Sequence, residues 1–131
     1  MRREFQLPAT DESFLKTLGR SWETVVDGSV RWLLIHDRVV PVGYTVTTVS
    51  EAYRIETGYP DTQLDMVYFL PALQRSDGRA IGAQSTQGIS GATWQRWSRH
   101  REPGFPWRPG IDDLSAHLLL VDHWLEREVA R

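Results

Sequence analysis

Between Asp77 and Arg101 the chain reads DGRAIGAQSTQGISGATWQRWSRHR. Its first half is small and polar, with hydroxyls at Ser85, Thr86 and Ser90. Its last eight residues, Trp94 to Arg101, hold two tryptophans, three arginines and a histidine. A hydroxyl can attack an acyl group when a base takes its proton. His100 is the candidate base, because histidine titrates near neutrality. The guanidiniums of Arg96, Arg99 and Arg101, with Arg108 further on, can receive a carboxylate in paired hydrogen bonds, and arginine beside tryptophan suits stacking. The chain contains no cysteine, so it has no thiol nucleophile, no disulfide and no thiolate metal site. A serine could form only an oxyester, which is less reactive toward an amine than a thioester. Ser85, Thr86 and Ser90 therefore read first as ordinary loop polars. Trp94 and Trp97 are three apart and would share one face of a helical turn, pinning the segment to the core.

The other histidines do not suggest a metal centre. His36 falls on the Val30–Trp32–Leu34 face of an alternating run, so a buried, hydrogen-bonded ring is expected. His117 and His123 lie on one helix, roughly 120° apart at about 100° per residue, too far round to chelate one ion. There is no Glu-x-x-His pair, phosphate loop or dinucleotide fingerprint. No metal and no cofactor is expected.

These residues must be positioned by the flanking elements. ATDESFLKTLG predicts a short helix, capped by Thr10 and ended by Gly19, with Asp11 and Glu12 in its first turn. WETVVDGSVRWLLIHD predicts a hairpin about Asp27-Gly28. Its second strand has Trp32 and Leu34 on one face and Leu33 and Ile35 on the other. TVTTVSEAYRIETG is a third strand, with Val49, Tyr53 and Ile55 on one face, and LDMVYFL is a fourth, apolar enough to be buried. Residues 72–110 show no clear period and read as a long irregular segment. GIDDLSAHLLLVDHWLEREVAR is an amphipathic helix with Asp112 and Asp113 in its first turn. Its stripe is Leu114, Leu118, Val121, Leu125 and Val129, with Trp124 beside it. Helix, four-stranded antiparallel meander, irregular loop and helix place the chain in the α+β class.

Composition sets the limits. The 131 residues suit a single domain over 1–131. A net charge of −2 and a pI near 6.1 argue against bulk electrostatic binding to nucleic acid or anionic membrane. No apolar run approaches the roughly 18 residues of a membrane span, and MRREFQLPATDES lacks the apolar core of a secretory signal. A cytoplasmic protein is expected.

The order of elements resembles the ubiquitin-conjugating enzyme fold. GYPDTQLDMVYF sits where that fold has a tyrosine–proline turn before its last strand. DGRAI sits where it has a polar-glycine-isoleucine turn leading to the catalytic cysteine, and WRPG where it has a later tryptophan–proline segment. With WETVVDG, WLLIHD and WQRWSRH, these motifs make the whole chain similar to a bacterial branch, the prokaryotic ubiquitin-conjugating-like proteins called family E. The resemblance implies a part in conjugating or handling ubiquitin-like modifiers, with a modifier and an adenylating activating enzyme as partners. This chain departs from the pattern at the nucleophile. After Ile81 come Gly82, Ala83, Gln84 and Ser85, and FLPAL replaces the histidine-proline-asparagine signature. Gly82 marks the position of the missing cysteine. Two readings follow: an enzyme whose cysteine was replaced at Gly82, Ala83 or Ser85, or a non-catalytic adaptor binding modifier or activating enzyme through the tryptophan–arginine cluster. A third class, a single-stranded nucleic-acid binder stacking bases on its tryptophans, runs against the net charge.

Overall fold

The computed structural model describes residues 1–131. The elements follow in the order α1 (Ala9–Leu18), β1 (Trp22–Asp27), β2 (Val30–Val39), β3 (Thr48–Ile55), β4 (Val67–Leu70), β5 (Gln84–Ile89), β6 (Ala92–Trp97) and α2 (Leu114–Ala130). The strands form one antiparallel sheet of six, ordered β1-β2-β3-β4-β6-β5. The α+β class and the first four strands agree with the sequence reading, but the sheet does not stop at the four-stranded meander. Part of the segment expected to be irregular is the hairpin β5–β6, turning at Ser90-Gly91. β6 docks on β4 and carries β5 to the sheet edge. QSTQGI hides its strand character because an edge strand with little to bury shows no apolar alternation.

Helix ends also differ from expectation. Pro8, not Thr10, is the N-cap of α1, and no side chain closes that end; Gly19 ends the helix in the left-handed conformation. Asp113 is the N-cap of α2, accepting from the Ala116 amide at 3.1 Å, while Asp112 precedes the helix and pairs with Arg108. The first hairpin turns through Gly28 and Ser29, one residue later than read, with Gly28 at φ 63°. A bulge interrupts the β2–β3 ladder between Ile35 and Arg38, and Asp37 sits there at φ 60°.

Side chains alternate between two apolar layers. Leu33, Ile35, Val49, Tyr53, Phe69 and Trp97 face the helices and pack with Leu15, Leu118 and Leu125. Trp32, Leu34, Ala52, Tyr68, Ile89 and Trp94 form a second buried layer to which neither helix contributes. The sheet covers that layer itself by curling. The Ser90 amide donates to Asp27 Oδ2 at 2.9 Å, and Arg2 Nη1 donates to Ser90 Oγ at 2.9 Å. The tips of the first and last hairpins therefore meet, and the second layer lies inside the curl.

Candidate functional site

Strands β4, β6 and β5 end side by side at one pole. Val67 pairs with Trp97, and Trp97 pairs with Gln84. Beyond those pairs the Ser98 amide still donates to the Ala83 carbonyl at 2.9 Å, and Arg99 Nη1 lies 3.5 Å from the same carbonyl. The Arg99 guanidinium thus reaches the residue next to Gly82. A Cβ added to Gly82 would stand 3.2 Å from Arg131 Nη2, so glycine lets a guanidinium lie against the backbone.

His100 is 64% exposed in its side chain and faces Asp65, with Nδ1 3.1 Å from each carboxylate oxygen. Its Nδ1 side is thereby committed, and Nε2 is directed away from the carboxylate. Ser85 lies exposed on β5, opposite Arg96 and on the curl side of the sheet. Ser85 and His100 are not hydrogen-bonded to one another; the carboxylate of Asp65 occupies the histidine instead. Ser90 is a structural latch, spent on Asp27 and Arg2.

The tryptophan–arginine cluster is dispersed. Because its backbone is a strand, Trp94 and Trp97 point to opposite faces: Trp94 into the curl, Trp97 toward the helices. The shared helical face expected of them does not exist. Trp97 Nε1 donates to Gln95 Oε1 at 3.0 Å, and Gln95 also holds both main-chain groups of Leu73. Arg96 is half-buried, with Nε unpartnered. Arg99 Nη2 reaches Glu128 at 2.8 Å. Arg101 lies over Trp107 and donates to His117 Nδ1 at 2.9 Å, while Arg108 pairs with Asp112 at 3.1 Å. His117 is fully buried, donates from Nε2 to the Met66 carbonyl, and is pushed down to about 4 by burial, so its ring is neutral at pH 7.

Two buried glutamates, Glu51 and Glu128, organise the arginines. Glu128 accepts from Arg75, Arg99 and Arg131. Arg75 also pairs with Asp77 at 2.7 Å, and Arg75 and Arg79 both donate to the Arg131 main-chain oxygen. Four guanidiniums thus gather about two side-chain carboxylates beside Gly82. Burial pushes the Glu128 carboxyl up, but Arg131 and Arg99 outweigh it and hold the group below its ordinary value. Across the molecule Glu51, 0% exposed, accepts from Arg38 at 2.6 Å, from Arg20 at 3.1 Å and from the Tyr53 hydroxyl. Arg38 continues to Asp122. A groove of about 440 Å³ lies over this second network, between α1, α2 and the β2 bulge, with Phe14, Leu18, Val39 and Leu119 on its walls.

The described residues hold no group of three or more His, Cys, Asp or Glu placed for a metal ion, and no helix is long and apolar enough to cross a membrane. Compared with known proteins, residues 7–128 match the family described as Prokaryotic E2 family E. No curated protein and no solved structure matches the chain.

Proposed function

The chain belongs to prokaryotic E2 family E, and from that membership we propose that it serves a conjugation pathway by holding a ubiquitin-like modifier. Its fold is then a ubiquitin-conjugating-like one extended by the β5–β6 hairpin, acting in the cytoplasm as one unit over residues 1–131. Its partners are the modifier and the adenylating enzyme that activates it. One observation carries the reading. No cysteine is present to hold a thioester, yet the pole beside Gly82 gathers four guanidiniums, of Arg75, Arg79, Arg99 and Arg131. Such a pole suits the carboxylate that ends a modifier's tail.

The His100–Asp65 pair supports a second reading. A histidine oriented by a carboxylate can take a proton from an incoming amine or hydroxyl, so the pole could assist transfer of a modifier activated elsewhere. In that reading Ser85 is the nearest hydroxyl to the missing nucleophile in sequence, and an oxyester on it would be an intermediate.

The test mixes the chain with a ubiquitin-like modifier of the same genome, its activating enzyme and ATP. Gel filtration and gels with and without hydroxylamine follow. The expected result is a non-covalent complex, lost in an Arg99→Ala, His100→Ala double variant. An alkali-labile adduct mapped to Ser85 would establish the second reading in its place. Neither complex nor adduct would sink both.

A further inference from the structure

The two edges of the sheet are treated differently. The β1 edge is covered. Thr24 exchanges main-chain bonds with the N-terminal segment, its amide donating to Arg2 at 3.0 Å and its carbonyl accepting from Glu4 at 2.8 Å. The Val26 amide donates to Glu4 Oε1 at 2.7 Å. The β5 edge has no such cover: β5 pairs with β6 alone, and Gln84, Ser85, Thr86 and Gly88 are exposed. Residues 82–91, GAQSTQGISG, include no charge and no proline, the usual means by which an open edge is kept from pairing. An exposed, regular, uncharged edge offers a row of main-chain donors and acceptors to an extended chain.

Charge at its two ends sets the direction of the added strand. β5 starts at Gln84, two residues past Gly82 and the arginine pole, and ends next to Ser90, where Asp27 is bound. A strand parallel to β5 would bring its carboxy terminus to the Asp27 carboxylate. A strand antiparallel to β5 brings it to Gly82, Arg99 and Arg131. Arg131 is half exposed in its side chain at 53%, and only Nη2 is engaged, at 2.6 Å from Glu128. A guanidinium has five N–H donors, so this pole retains unused ones.

We infer that β5 takes the extended carboxy-terminal segment of a modifier as a seventh, antiparallel strand, with its terminal carboxylate at Arg99 and Arg131. The inference deepens the proposed function and rests on it.

The probe is a short peptide of alternating threonine and glycine with a free carboxylate, compared with its amidated form. Amide exchange is followed by NMR on the whole chain. Alternate amides of β5, open to water in the free protein, are expected to gain protection with the carboxylate peptide. Amidation of the peptide or Arg99→Ala is expected to weaken binding about tenfold. Binding without protection in β5 overturns the inference and leaves modifier binding standing. No binding of the peptide also overturns it, and the intact modifier in the same titration shows whether the proposed function falls with it. Ser85→Pro and Thr86→Pro give a separate check. Neighbouring strand residues aim their amides to opposite sides, so one variant keeps its bonds to β6 and folds. That variant is expected to lose the probe, and undiminished binding by it overturns the inference.

Discussion

Glu51 and Glu128 are both buried carboxylates ringed by arginine, yet the two regions are built to different ends. Around Glu51 the account closes. Arg20 and Arg38 face Glu51 and Asp122, the Tyr53 hydroxyl takes a remaining lone pair, and the glutamate is wholly buried. Burial disfavours the Arg38 charge, but Glu51 outweighs it and holds the guanidinium above its ordinary value. This cluster ties β2 and β3 to α2. Around Glu128 the guanidiniums outnumber the carboxylates, and Arg79 and Arg131 are open to solvent. A closed network can only hold structure; an open one with surplus donors can also take a ligand. Imbalance and exposure, and not burial alone, are what make a cluster of buried charge a candidate for binding.

The comparison breaks most readily at Glu51. Glu51→Gln removes the buried carboxylate that Arg38 and Arg20 share, leaves the buried Arg38 only the half-exposed Asp122, and is expected to cost about 3–5 kcal/mol in urea unfolding. A cost below about 1 kcal/mol would show that the cluster is not a strut.

Next in size is acid. The unfolded chain binds a proton on His117 near 6.5, whereas the folded chain resists until about 4. Stability is therefore full above pH 6.5 and falls as the pH drops toward 4. At about 1.4 kcal/mol per pH unit, that is ~3 kcal/mol, read by denaturation at stepped pH. Glu128 is depressed, so its contribution is present above 4.5 and fades only below it, which leaves the upper part of the window to the histidine. A His117→Leu variant, even if less stable at pH 7, should lose the slope between pH 6.5 and 5. A slope unchanged in that variant would place the proton elsewhere.

Glu128→Gln sharpens the contrast. Arg75 keeps Asp77, and Arg131 can turn to water, so the expected loss is about 1–2 kcal/mol. Equality with the Glu51→Gln loss would mean that the two clusters are not different in kind.

The smallest structural effect belongs to His100. It is exposed and its partner is Asp65 alone, so His100→Ala should move stability by no more than about 0.5 kcal/mol. Together with Arg99→Ala it should nevertheless abolish modifier retention. A His100→Ala variant that unfolds more easily by several times that amount would make the residue structural.

Much of the frame was legible in the sequence. The two-faced β2, the buried β4, the stripe of α2 and the left-handed Gly19 each follow from local period or local backbone chemistry. The β5–β6 hairpin was not legible, since QSTQGI gains its strand from pairing with β6 and buries only Ile89 fully. That one omission placed Trp94 and Trp97 on a common face, when a strand sends residues three apart to opposite sides. Glu51 lies in the alternation with Val49 and Tyr53, so its burial could have been suspected. Its arginine partners could not, because Arg20 and Arg38 reach it from other elements.

The sequence by itself determined the α+β class, most strands and both helices, the family, and the absence of any cysteine. Those are properties of neighbouring residues, set by periodicity, by turn chemistry and by which atoms are present. Only the tertiary structure decided that His100 meets Asp65, that Arg99 turns to Glu128, that Arg101 holds a neutral His117, and that β5 stands uncovered at the sheet edge. These pairings join residues far apart along the chain. They are fixed by strand register and by the docking of α2, neither of which leaves a local signal.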